Sequence, residues 1–307
     1  MAEIQSQVRK FVGVEASTAA LNAVCVDDSG AVLDTRTTVF DRTLGTIEQL
    51  AGFIKELRGG FGDFETVGIA VPGLINRETH RVAFSAHMPE HSEIDLVSGV
   101  QDATGVRTVI ENDANAAAYG EFRVGAGRDS SDIFYATLGS GVGGAFIFDG
   151  KIWRGKGGFA GEFGYVAINS EGMRLEDVAS SPNIVRRSTS RVRQDSTSSL
   201  SSLDEQAIAI TDIIAAAKSE DDLAQMMLER TGEYVGMAIA SVINLLNIET
   251  IVVGGEIMEA GDLLLDSVIS RAKELSFGPS FASTRIVAGK LGANAAALGV
   301  ALIANED

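Results

Sequence analysis

The stretch that decides the fold is Ile110-Glu111-Asn112-Asp113-Ala114-Asn115-Ala116-Ala117-Ala118. A short apolar run beginning at Val106 reads as a buried strand, and the alanine-rich run over 114–124 reads as a helix. With no loop between them, the strand delivers an Asn-Asp pair to its C-terminal end, where ligands gather in α/β folds. Asp113 can accept a proton from a hydroxyl, and Asn112 can both donate to and accept from a polyol. Asp113 can also simply cap the helix.

Outward from this junction, alternating or apolar runs predict strands at 11–16, 21–26 and 31–39, with a turn at Asp27-Asp28-Ser29-Gly30. Leu44, Ile47, Leu50, Ile54 and Leu57 place a helix over 44–58, ended by Gly59-Gly60. Val67 to Val71 is a buried strand stopped by Pro72-Gly73. A meander followed by helix-then-strand units predicts a mixed sheet with helices on its faces.

The second half repeats the plan. Strands are predicted at 132–138, 142–148 and 164–168, helices at 204–217, 221–246 and 261–275, strands at 251–253 and 285–288, and a last helix at 292–303. Leu223, Met227, Tyr234, Ala238 and Leu245 recur at helical spacing and read as core. The Ser-, Thr- and Arg-rich stretch 186–202 reads as an exposed loop.

The balance of 45% hydrophobic and 22% charged residues in a chain of 307 is that of a globular protein with ample core. Cys25, the sole cysteine, lies in an apolar run and reads as a buried thiol; no internal disulfide or Cys-rich zinc module is expected. A net charge of -17 opposes binding to nucleic-acid phosphates. It leaves room for an anionic ligand held by backbone N–H groups. No apolar run approaches membrane-spanning length and MAEIQSQVRK does not read as a signal peptide, so a cytoplasmic protein with no membrane partner is expected.

Three further segments carry chemistry. Thr137-Leu138-Gly139-Ser140-Gly141-Val142-Gly143-Gly144 is a glycine-rich turn between strands. It is either a phosphate cradle of backbone N–H groups or a plain tight hairpin, and it is not a Walker loop. Gly157 to Tyr165 holds one carboxylate, Glu162, in a run otherwise lacking polar partners, a setting suited to sugar hydroxyls. Ile251-Val252-Val253-Gly254-Gly255-Glu256 runs a strand into paired glycines, which suits either an adenine ring or a helix-packing turn.

The order, spacing and wording of these four segments resemble the ROK family, bacterial sugar kinases and sugar-responsive repressors of the hexokinase and actin superfamily. The likeness runs from Phe11 to the last helix and is most specific over 110–164. It implies a two-lobed, actin/hexokinase-like (ribonuclease H-like) α/β fold with a ligand cleft between lobes. The expected lobes are residues 1–109 with 291–307, and 110–290. It further implies a glucokinase-like ATP:hexose phosphotransferase, using ATP with Mg2+, in which Asp113 is the general base. On the same resemblance the sugar is held by Asn112, Glu162, Tyr165, Glu176 and Gly73. ATP is held by Glu15, the turn of Gly139, Ser140, Gly141 and Gly143, and the adenosine motif Gly254-Gly255. A homodimer is the implied assembly.

Three departures mark the chain. Family kinases open with Asp-x-Gly-Gly-Thr, whereas Glu15-Ala16-Ser17-Thr18-Ala19 stands here with neither glycine; Ser17 and Thr18 keep hydroxyls for a ligand. Tyr165 takes the place of the family's zinc-binding His and the cysteines are missing, so no zinc is expected. His87-Met88-Pro89-Glu90-His91 replaces an Asn-containing segment beside the sugar, putting His87 in or near the pocket or on a surface loop. The alternative function is a catalytically weak or inactive sugar-binding sensor. With about ten residues ahead of the first strand, a helix-turn-helix repressor is not expected.

Overall fold

The computed structural model describes residues 9–76, 79, 81–85, 88, 92, 94–194 and 197–306. His87, Pro89, Glu90 and His91 lie outside the described residues; Met88 is fully buried and its N–H donates to the Ser85 hydroxyl at 3.1 Å.

The chain forms two compact units. The first comprises residues 1–128, 152–160 and 293–307, and the second 129–151 and 161–292. In the first, β1 (Phe11–Ala16), β2 (Ala20–Val26) and β3 (Val32–Val39) make an antiparallel meander. Next come α1 (Thr46–Phe61), β4 (Thr66–Val71), the hairpin β5 (Leu74–Asn76) and β6 (Arg81–Phe84), α2 (Leu96–Thr104), β7 (Arg107–Asn112) and α3 (Asp113–Val124). The sheet order is β3-β2-β1-β4-β7, with β1, β4 and β7 parallel. Val12, Val14, Val67, Ile69 and Ile110 are buried with Leu50, Ile54 and Leu57 of α1.

The second unit opens with β8 (Ile133–Leu138) and β9 (Val142–Phe148), followed by β10 (Lys151–Trp153), which begins at the unit's boundary and pairs with β9. It continues through α4 (Glu176–Ala179), α5 (Ser181–Val192), α6 (Ile210–Lys218), α7 (Asp222–Leu246), β11 (Thr250–Gly254), α8 (Asp262–Leu275), α9 (Gly278–Ala282) and β12 (Arg285–Ala288). Its sheet order is β10-β9-β8-β11-β12, antiparallel between β8 and β9 and parallel through β8, β11 and β12.

The last helix, α10 (Ala295–Glu306), returns to the first unit. It lies so close to the sheet that a Cβ at Gly13 or Gly68 would strike the carbonyls of Ala297 or Val300, and one at Gly299 would strike Ala116. These glycines let backbone pack on backbone. The first unit runs past the expected break at 109 because β7 pairs with β4 and α3 packs against α10.

Several sequence expectations are corrected. α1 continues through Gly59-Gly60 to Phe61 and is capped by Gly62 at φ 82°. The second meander closes with β10, not a strand at 164–168, because Asp149 (φ 50°) and Gly150 (φ 72°) supply the left-handed pair of a tight hairpin. Phe163–Tyr165 is instead a 3-10 turn. The stretch expected as a loop holds most of α5 and a 3-10 turn at Ser199–Ser202. Ile184, Ser188 and Val192 bury one stripe of α5 at four-residue spacing. On the same helix the Arg187 guanidinium donates to the carbonyls of Val178 and Met227. The helix expected from 204 begins at Ile210, and Leu245 is 82% exposed rather than core. Cys25 is buried, which pushes its thiol pKa up.

Candidate functional site

β1, β4 and β7 end at one level, with Glu15 beside Ala70, Ala70 beside Glu111 and Val71 beside Asn112. At that edge Asn112, not Asp113, is the helix cap: its Oδ1 accepts the Asn115 N–H at 3.0 Å. Its Nδ2 donates to the Gly73 carbonyl and to Asp113 Oδ1, both at 3.0 Å. Both amide hydrogens are thereby used, and a ligand meets Asn112 as an acceptor. Gly73, at φ 140°, cannot carry a Cβ without striking Phe84 and Ser85. Asp113 is half-buried in the first turn of α3, where its Oδ1 also accepts the Ala114 N–H at 2.8 Å.

Glu15 faces this group. Its pKa is raised to about 7, first by desolvation and then by the Asp113 charge. Glu15 keeps some exposed surface, but it is closely surrounded by protein, so the loss of water dominates. The turn after it closes on itself. The Ser17 N–H and hydroxyl both donate to the Ala20 carbonyl, at 2.9 and 3.0 Å. The N–H groups of Ala19 and Ala20 donate to the Ser17 hydroxyl oxygen at 3.5 and 3.1 Å. The Ser17 hydroxyl proposed for a ligand is thus spent on the turn.

One pair at this edge was missed by sequence reasoning. Glu111, 2% exposed, accepts the Asn112 N–H and Asn115 Nδ2 on Oε1, at 3.0 and 3.1 Å. Its Oε2 accepts Nε and Nη2 of Arg154 at 3.1 and 2.5 Å. The signal was a carboxylate inside a buried strand pattern, which demands a cation or several donors.

In the second unit, four expected segments meet. The Gly139 N–H donates to the Gly141 carbonyl at 2.9 Å, closing the turn between β8 and β9. The Val142 N–H donates to Glu176 Oε2 at 3.0 Å. The Ser181 N–H donates to the Gly139 carbonyl at 2.7 Å, and its hydroxyl to Glu256 Oε1 at 2.6 Å. Ser140 is exposed, and Gly143 pairs with Thr137 across the hairpin. A Cβ on Gly139 would have no neighbour nearer than 3.7 Å, the Glu256 side chain, and its φ is not left-handed. Neither packing nor backbone conformation requires that glycine, which fits a surface kept bare for close approach of a phosphate. Gly254 and Gly255 differ: a Cβ on either would strike Tyr135 or Leu138 of β8, and Gly255 has φ 92°. Packing against β8 requires both.

The remaining expected sugar ligands lie beside this turn. Glu162 is exposed and precedes the 3-10 turn, whose Tyr165 N–H donates to the Glu162 carbonyl at 3.1 Å. Tyr165 is 56% exposed, with the Arg174 guanidinium 4.9 Å from its ring centre. Glu176 opens α4, and a Cβ on Gly164 would lie 3.3 Å from its side chain. The structure therefore groups Glu162, Tyr165 and Glu176 in one unit, and Glu15, Gly73, Asn112 and Asp113 in the other. Among the described residues no three His, Cys, Asp or Glu side chains cluster to hold a metal ion. Among them, too, no helix is long and apolar enough to cross a membrane.

Two sheets, each a meander extended by parallel strands and covered by helices, with an Asn-Asp pair ending one strand and a bare glycine turn joining two others, define the hexokinase-type α/β fold. The chain belongs to the ROK family, whose profile matches residues 11–307. It is 31% identical to the glucokinase of Thermotoga maritima over 97% of this chain and 98% of that one. It is 31% identical to the xylose repressor of Bacillus spizizenii over 78% of this chain and 61% of that one. The solved ROK family glucokinase of Streptomyces griseus, in complex with glucose and AMPPNP, superimposes with a TM-score of 0.89 at 27% identity, covering 97% of this chain and 100% of that one.

Proposed function

We propose that the protein is an ATP-dependent hexose kinase, glucokinase-like, with Asp113 as general base. The observation that carries this reading is the β7–α3 junction, where Asn112 takes over the capping and the half-buried Asp113 carboxylate stands at the strand end. Asp113 accepts the proton of a hexose hydroxyl, most simply the 6-hydroxyl, as its oxygen attacks the γ-phosphorus of ATP. The new O–P bond forms as the bond to the β–γ bridging oxygen breaks, and ADP leaves. Asn112, Gly73, Glu162, Tyr165 and Glu176 serve the sugar. The Gly139–Gly143 turn serves the phosphates, Glu15 stands at the first phosphate motif, Gly254-Gly255 serve adenosine, and Mg2+ accompanies ATP. A cytoplasmic homodimer completes the reading. The sugar-kinase activity in this reading is supported by the glucokinase relatives at near full length.

A second reading, a sugar-binding sensor without transfer, is favoured by one observation: the N–H groups of Ser17, Ala19 and Ala20 are consumed within their own turn. The test is ADP release by purified protein with MgATP and a panel of hexoses, beside direct hexose binding. The kinase reading expects turnover, and an Asp113→Asn variant that still binds hexose while kcat falls by about 10²–10⁴. Binding without turnover in the wild type decides for the sensor, and an unchanged kcat in Asp113→Asn removes the base assignment.

A further inference from the structure

The buried carboxylate of Glu111 organises the edge that carries Asp113. Its Oε1 holds the Asn112 N–H and the Asn115 side chain, fixing the strand end and the first helical turn together. Asn112 in turn holds Asp113 Oδ1 and the Gly73 carbonyl. Glu111 is oriented by a guanidinium that directs two donors onto one oxygen. That Arg154 lies outside β7 and α3, in the segment 152–160 that returns to the first unit. The Arg154 carbonyl accepts the Ala160 N–H at 3.1 Å, closing the segment into a loop. Gly155 and Gly158 in that loop have φ of 67° and 87°. A charge-assisted fork of this kind fixes both distance and angle.

The geometry points to Arg154 as a positioning residue: through Glu111 it sets the register of Asn112 and hence the aim of the Asp113 carboxylate. This inference rests on the kinase reading for its effect on rate. The chain of contacts runs guanidinium, Glu111, Asn112, Asp113, each link a hydrogen bond of 2.5–3.1 Å. Loss of Arg154 leaves Glu111 without its cation, so Glu111 swings or recruits other donors and the junction loosens. General-base transfer is sensitive to misplacement, and an error of about 1 Å costs roughly a hundredfold in rate.

The experiment uses the full chain with Arg154→Ala and Arg154→Lys, the second keeping a positive charge should the first fold poorly. In Arg154→Ala, kcat is expected to fall by roughly a hundredfold with KM for hexose little changed, and added guanidinium at low millimolar concentration to restore part of the rate. Arg154→Lys is expected to lie between, since ammonium keeps the charge but not the fork. Exchange of the Asn112 amide hydrogen is expected to speed up by roughly tenfold in Arg154→Ala and to slow again with guanidinium, while β8 amides stay unchanged. A folded Arg154→Ala protein with wild-type kcat, or with a loss that guanidinium does not relieve, overturns the inference. If the wild type shows no transfer, the kinase reading falls on that result alone. The Asn112 exchange with and without guanidinium then decides the positioning role by itself.

Discussion

At the scale of single residues, the site is a contest for protons and donors among close carboxylates. Glu15 holds its proton up to about pH 7 because burial and the Asp113 charge both penalise its ionised form. Its folded pKa lies above the ordinary 4.5, so the folded chain binds the proton more tightly than the unfolded one. Stability from this group is full below the ordinary carboxyl range and is lost as pH rises through 7. Urea unfolding from pH 5 to 8 should show a decline of at most about 3 kcal/mol in the wild type, absent from Glu15→Gln. Asp27, Asp41, Asp95, Asp177 and Asp221 have lowered values, so their contributions change only at more acid pH and leave this window clear. An equally steep decline in Glu15→Gln would show that another group titrates there. Asp113 was readable from its neighbours in sequence. That Asn112 would take the cap was not, because both residue types favour that position.

At the scale of elements, glycines mark where backbone meets backbone. Gly255 combines φ 92° with a Cβ position overlapping the Leu138 backbone. Gly255→Ala should therefore destabilise by about 2 kcal/mol or more, read as a lower denaturation midpoint. A neutral result would mean that the β8–β11 contact is looser than described. Paired glycines after a strand were legible as special, but a nucleotide surface and a packing contact write the same letters. The positions of Tyr135 and Leu138 reveal the packing contact. The reverse failure befell α5. Its polar composition reads as loop, yet a narrow stripe of Ile184, Ser188 and Val192, together with the partly buried Arg187, gives it a face to pack. The β10 strand was missed although Asp149-Gly150 signals a hairpin, because three residues are too few to show alternation.

At the scale of the whole molecule, 307 residues divide into two units of similar plan, and the chain crosses between them four times. A hexose that binds the native state alone should raise its stability by about 2.7 kcal/mol at a hundred times its Kd. Calorimetry with and without hexose checks this, and the same shift is expected for Asp113→Asn, where binding persists without turnover. No shift in either protein would remove sugar binding from both functional readings. The first meander with the helix and strand that follow it, the strand-to-helix junction at Asn112-Asp113 and the glycine turn at 139–144 were determined by sequence, since each depends on local periodicity or on adjacent residue types. The partners of buried charge were decided only by tertiary structure. Glu111 and Arg154 stand 43 residues apart, and the segment bearing Arg154 rejoins the first unit only when the chain has folded. Local pattern specifies where a carboxylate sits on its strand; desolvation then demands a counter-charge, and the fold alone selects which distant residue supplies it.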